Sequence, residues 1–221
     1  MAARRRRVAV LISGGGTNLQ ALIDACRRPE SSAEIVRAIS DRPDAYGLTR
    51  AERVGIPALA IDRRAHWSGA AFEAALQASL AAARAELVCL AGFMRVLGPG
   101  FVAAWRDRML NIHPSLLPAF RGLRTHERAL EAGVRLTGCT VHVVRPEVDS
   151  GPIVVQAAVP VLPDDDRDTL AARVLEAEHR CYPLGLELFA AGRARVVGER
   201  VVIEGALHPT APLINPQPAP A

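Results

Sequence analysis

The chain has 221 residues, half of them hydrophobic and 23% charged, with a formal net charge of +4. That length fits one large α/β domain with an apolar core of its own, and the balance is that of a globular protein rather than a disordered or fibrous one. Arg4 to Arg7 account for the whole excess of positive charge, so the body is near neutral, and aromatics at 4% offer few stacking platforms for nucleic acid.

Every basic side chain is Arg; the sequence contains no Lys. This excludes a phosphate-loop NTPase, which needs its Lys, and it excludes Schiff-base or pyridoxal chemistry, which needs a Lys amine. Cys26, Cys89, Cys139 and Cys181 form no CxxC pair and sit in apolar or helical stretches. They read as reduced, buried thiols in a reducing compartment, and no zinc site is expected. No apolar run approaches the roughly 20 residues that span a bilayer, and the basic start lacks a signal-peptide core, so a cytoplasmic location is expected.

Val8 to Ile12 reads as a buried strand, followed by a glycine-rich turn over Ser13-Gly14-Gly15-Gly16-Thr17-Asn18. Leu19, Leu22, Ile23 and Cys26 then fall at helical spacing. Strands are expected at 35–39, 58–61, 87–91 and 110–113, with helices at 45–54 and 70–85 between them. This alternation predicts a Rossmann-like α/β sandwich, a mostly parallel sheet with helices on both faces. Residues 115–127 read as an irregular loop. Strands follow at 140–144 and 153–159, then a long helix at 169–189 and a hairpin around Gly198-Glu199-Arg200. The Pro-rich stretch from Ala206 lacks periodicity and is expected to be disordered.

Three places could carry chemistry. The glycine turn lets backbone approach an anion, and the helix after it presents free N–H groups and the positive end of its dipole. It does not fit GxGxxG, because Leu19 occupies the last glycine position; a tight turn without a ligand remains open. Asn111 and His113 alternate with Leu110 and Ile112, so they share one face at the carboxyl end of a strand, where open parallel sheets bind ligands. They could stabilise an oxyanion, or form a buried pair that satisfies a turn. Asp149, before Ser150-Gly151-Pro152, could cap that turn or relay a proton for a nearby His. Glu178 and His179 read by themselves as a solvated helix face. His126 and His142 read as structural, and His66 and His208 carry no context.

Taken together, SGGGTNLQ (13–20), LAGFMRVL (90–97), LNIHPSLLP (110–118), GCTVH (138–142), VDSGPIV (148–154) and EAEH (176–179) with Tyr182-Pro183 closely resemble the phosphoribosylglycinamide formyltransferase family. The resemblance covers about residues 7 to 205. It implies the formyltransferase fold as a single domain over 1–205, with a phosphate-binding half about 7–110 and a folate-binding half about 111–205. It also implies that the chain formylates glycinamide ribonucleotide from 10-formyltetrahydrofolate, without a metal and as a monomer or homodimer, with neither nucleic acid nor membrane as a partner. Asn111, His113 and Asp149 would be the catalytic trio, with Asp149 keeping His113 charged. Gly16, Thr17 and Asn18 would hold the substrate phosphate, and Glu178 the amine-bearing end. Phe93, Met94, Arg95, Val96 and Leu97 would line one wall of the pteridine pocket, and Glu147 and Val148 the other.

Two positions depart from the family pattern. Ala119-Phe120-Arg121 stands where Lys-Tyr-Pro is common, and Gly69 stands where many members carry an Arg for the folate tail. Methionyl-tRNA formyltransferase would need a further domain of ~100 residues beyond the hairpin. Formyltetrahydrofolate deformylase would need one before the first strand. A non-catalytic nucleotide-binding module on the same fold would not need Asn111, His113 and Asp149 together.

Overall fold

The computed structural model describes residues 4–65, 68–205 and 209–216. Five parallel strands, β1 (Arg6–Ile12), β2 (Ala33–Ser40), β3 (Ala58–Ala60), β4 (Leu87–Leu90) and β5 (Met109–His113), stand in the order β3-β2-β1-β4-β5. Two more, β6 (Leu136–Val143) and β7 (Ile153–Pro160), extend the β5 side, each antiparallel to the strand before it. The sheet therefore continues unbroken across residue 110. A separate hairpin pairs β8 (Ala194–Val197) with β9 (Arg200–Ile203).

The alternation of β1 explains the layers. Val8, Val10 and Ile12 face one core, shared with α1 (Thr17–Cys26), α2 (Tyr46–Glu52) and α6 (Arg167–Ala190). Ala9 and Leu11 face a second core, shared with α3 (Gly69–Ala82) and α4 (Pro99–Ala104). Both faces of β1 are buried from Val8 to Ile12, so that stretch is apolar without alternation, as parallel central strands are. The three-layer sandwich expected from the strand–helix alternation is present.

α6 carries the largest fully buried side chain, Tyr182, whose hydroxyl donates to the carbonyls of Leu90 (3.0 Å) and Leu110 (3.1 Å). It is pinned under β4 and β5, the strands that lead into the site. Asp166 begins this helix with a capping box, its carboxylate accepting from the Asp168 and Thr169 amides.

Three local expectations change. Residues 115–127 are not all loop: α5 (Thr125–Glu131) starts at Thr125 and is held by Arg128, which donates to the Arg121 carbonyl at 2.6 Å. β6 begins four residues earlier than the expected 140. Gly138 masked that start, since glycine is a poor strand former; here a Cβ at 138 would collide with the Ala157 carbonyl, so only glycine allows this approach of β7. Within the Pro-rich tail, the Asn215 side chain donates to the Arg135 carbonyl at 2.6 Å; the rest of that expectation, at 206–208 and 217–221, lies outside the described residues, as do His66 and His208. The four cysteines are free and buried, as expected. No helix among the described residues is long and apolar enough to cross a membrane.

Candidate active site

The sheet order places the ends of β1, β4 and β5 side by side. The glycine turn leaves β1, residues 91–98 leave β4, and Asn111 and His113 close β5. Ser13 links the first two: its amide donates to the Gly92 carbonyl at 3.1 Å and its hydroxyl accepts from the Met94 amide at 2.9 Å.

Gly16 adopts φ +70°, and a Cβ there would stand 2.6 Å from the Cα of Gly47. Glycine is therefore required twice over, for the left-handed backbone and for the docking of α2. The Gly47 amide donates to the Gly14 carbonyl at 3.0 Å, and Arg50, one turn along α2, donates Nε to the Gly15 carbonyl at 2.8 Å. The turn borders a groove of about 540 Å³ whose walls include Gly14, Asn18, Asp41, Gly92 and Arg95.

Asn18 donates Nδ2 to Glu178 Oε2 at 2.7 Å, joining α1 to α6 across 160 residues. Both side chains are buried, so Glu178 is not the solvated helix residue that its polar neighbours indicate. Burial pushes its carboxyl up to about 7, against the opposing hydrogen bond from Asn18. The Asn18 Oδ1 is buried without a partner among the described residues.

The second cluster lies on the β5–β6 face opposite α6. Antiparallel register sets Asn111 across from His142 and His113 across from Thr140. Asn111 Nδ2 lies 3.0 Å from His142 Nε2, and His142 Nδ1 lies 3.2 Å from the Val143 carbonyl. The Val143 carbonyl faces Nδ1, and Nε2 stands between the Asn111 amide and the Asp149 carboxylate, 3.6 Å away. His142 is thus part of the site, although its place on a strand reads as structural.

Asp149 enters from the β6–β7 connection with φ +51°, a left-handed conformation that Asp tolerates better than most residues. Gly151 allows the approach, since a Cβ there would collide with the Val143 carbonyl. The Asp149 carboxylate lies 3.2 Å from His113 Nδ1 and 3.6 Å from His142 Nε2, and accepts from the Gly122 amide at 2.9 Å. Burial opposes its charge, but the contacts with His142, Gly122 and His113 prevail and hold the carboxyl below its ordinary range.

His113 faces two oxygen acceptors, Asp149 at Nδ1 and the Phe120 carbonyl at Nε2, 3.0 Å away. Only the doubly protonated ring would donate to both. Burial nevertheless prevails, and the pKa falls below the ordinary His value; the Phe120 carbonyl and then Asp149 push the other way. The loop behind it is fixed by Ser115, whose hydroxyl donates to the Ala119 carbonyl at 2.6 Å, and by Thr140, which donates to the Ser115 carbonyl at 2.7 Å.

Among the residues expected to wall a pteridine, Phe93 and Leu97 are packed into the α3–α4 core. Met94 and Val96 are exposed at 70% and 76%. Arg95 pairs with the buried Asp41 at 2.8 Å. Val148 is exposed, and the exposed Glu147 lies 3.5 Å from Arg121. Among the described residues no hydrogen bond or ion pair joins the Asn18–Glu178 cluster to the Asn111–His113–Asp149 cluster, and no group of His, Cys, Asp and Glu is arranged to hold a metal.

Residues 6–186 match the family model described as formyl transferase. The chain is 41% identical over 210 residues to a phosphoribosylglycinamide formyltransferase of Haemophilus influenzae, covering 95% of this chain and 99% of that protein. It is 52% identical over 198 residues to the trifunctional purine biosynthetic protein adenosine-3 of Drosophila melanogaster, 89% of this chain but only 15% of that much longer protein. Its fold matches the crystal structure of glycinamide ribonucleotide transformylase 1 from Symbiobacterium toebii with a TM-score of 0.88 and 52% identity, covering 90% of this chain and 94% of that one. The chain belongs to the formyl transferase family, among its phosphoribosylglycinamide formyltransferases.

Proposed function

We propose that the chain transfers the formyl group of 10-formyltetrahydrofolate to the amine of glycinamide ribonucleotide, a step of purine biosynthesis. The observation that carries this reading is the buried His113–Asp149 pair at 3.2 Å, beside Asn111 at the carboxyl end of β5. We read residues 1–205 as one formyltransferase domain working in the cytoplasm as a monomer or homodimer.

In this reading Gly16, Thr17 and Asn18 hold the substrate phosphate, where α1 presents free N–H groups and a positive dipole end. Glu178 holds the amine-bearing end, and an arriving ammonium draws the proton off a carboxyl whose pKa stands at about 7. The exposed Met94, Val96 and Val148 cover the folate ring, together with backbone from Phe93 to Leu97 and Glu147.

The ammonium gives one proton to the Glu178 carboxylate, and the neutral amine that results attacks the formyl carbon and gives a tetrahedral oxyanion. Asn111 has a second Nδ2–H, beyond the one turned to His142, for that oxygen. His113 supplies the other donor by exchanging the Phe120 carbonyl for it. The new negative charge replaces a neutral acceptor, so it raises the His113 pKa at the moment the imidazolium is useful. Asp149 steadies that cation and passes a proton from the attacking nitrogen towards the departing folate nitrogen.

The test follows the absorbance change of the released folate with purified wild type and with Asn111→Ala, His113→Ala and Asp149→Asn. Each variant should lose on the order of 10²- to 10⁴-fold in kcat, the range for a lost oxyanion donor or proton carrier. A variant within about threefold of wild type would remove its residue from the mechanism.

A further inference from the structure

We propose that Arg50 is a direct phosphate-binding residue of the substrate site, acting from the opposite side of the glycine turn to Asn18. This inference rests on the reading of the substrate as a phosphate ester.

The contact between Gly16 and Gly47 presses α2 against the turn, and Arg50 lies one turn beyond Gly47 on the same helix. Its guanidinium is anchored at one corner only. Nε donates to the Gly15 carbonyl at 2.8 Å, while Nη1 reaches Gln20 Oε1 at 3.5 Å, the limit of a hydrogen bond. Nη2 has no partner among the described residues. The plane also lies over the Tyr46 ring, 5.1 Å from its centroid, which restrains the side chain further. No carboxylate among the described residues pairs with Arg50, whereas Arg7, Arg42, Arg64, Arg95, Arg145 and Arg173 all have acidic partners.

The surroundings point to an anion. Arg50 and Thr17 line a groove of about 740 Å³ between α1 and α6, and Thr17 also lines the groove at the glycine turn. Thr17 is thus the ridge between them, and an oxyanion on its amide and hydroxyl is open to both sides. His179 faces the Arg50 side with its Nε2 buried and without a partner. Burial, and then the Arg50 charge, depress that ring; Asp24, Glu30 and Glu187 line the same groove, and none of them pairs with Arg50. A guanidinium held at Nε, with Nη1 bonded only at 3.5 Å and Nη2 without a partner among the described residues, has donors left for a tetrahedral phosphate.

The experiment compares wild type, Arg50→Gln and Arg50→Lys on two acceptors, glycinamide ribonucleotide and phosphate-free glycinamide riboside. Inorganic phosphate is added separately in thermal denaturation, against chloride at matched ionic strength. Arg50→Gln should raise the ribonucleotide KM about 10- to 30-fold, leave kcat within about twofold, and leave the riboside unaffected. Arg50→Lys should recover part of that loss. Phosphate should raise the Tm of wild type and not that of Arg50→Gln. Equal impairment on both acceptors would show that Arg50 only braces the Gly15 carbonyl, and would overturn the inference. So would a phosphate shift absent from wild type or retained in Arg50→Gln. If wild type fails to use the ribonucleotide yet keeps an Arg50-dependent phosphate shift, the reaction assignment falls and the anion site stands.

Discussion

Glu178→Gln is the sharpest probe of the link between α1 and α6. The carboxyl is 7% exposed and its pKa is raised from 4.5 to about 7 by burial. The folded state therefore binds a proton more tightly than the unfolded chain between those two values. Stability is fully retained below about pH 4.5 and declines as pH rises through about 7. The gap between 4.5 and about 7, at 1.36 kcal/mol per pH unit, makes the ionised side chain cost about 3 kcal/mol above pH 8. Gln carries no charge and can still accept from Asn18 Nδ2. Its own amide can also donate to the unpartnered Asn18 Oδ1. The variant should accordingly equal wild type within about 1 kcal/mol at pH 4.5 and exceed it by about 2 to 3 kcal/mol at pH 8. Urea denaturation of both proteins across that range measures the difference, and the titration of all other groups cancels. Two curves that stay parallel would refute the argument, because they would mean that Glu178 ionises as freely as a solvated carboxylate. A substrate-bound protein should lose the difference, since a cationic amine stabilises the charged form.

Three further outcomes follow from particular contacts. The His113 ring, followed by imidazole NMR in the free protein, should titrate below the ordinary 6.5 and lower still in Asp149→Asn, which removes an opposing charge; a value above 6.5 in wild type would show that the pair outweighs burial. Gly16→Ala should lose at least about 2 kcal/mol in denaturation, because it combines a φ of +70° with a Cβ 2.6 Å from Gly47. Gly15→Ala, with nothing within 4 Å of its Cβ, should stay within about 1 kcal/mol of wild type. Thr140→Val should loosen the 114–122 loop by removing its bond to the Ser115 carbonyl and the acceptor for the Leu117 amide, and should lower kcat more than it raises KM.

The sheet was legible because Val8–Ile12 and Leu87–Leu90 are unbroken apolar runs, α1 and α3 are long enough to show their period, and Gly55 and Pro57 mark the end of α2. α4 and α5 were not, since six and seven residues contain under two turns and no repeat to detect. Within the site, the alternation of Asn111 with His113 could be read from one strand alone. The place of His142 could not: it depends on the β5–β6 register, although Thr140 and His142 repeat the same two-residue spacing one strand away. Glu178 misled for a related reason. Glu176, His179 and Arg180 around it suggest a wet helix face, and the residue that buries and binds it, Asn18, is at the other end of the chain. The state of His113 depends on competition between burial and a carboxylate brought in by a distant loop, which no local pattern reports.

On this protein a formyl carbon should move intact from folate to a ribonucleotide amine. Folate carrying a ¹³C-labelled formyl group, mixed with protein and glycinamide ribonucleotide, tests it directly by NMR. The label should leave the folate only when the ribonucleotide is present, and appear as a formamide carbon on its glycyl nitrogen. Label recovered as free formate, at a rate indifferent to the ribonucleotide, would contradict it and make the protein a hydrolase.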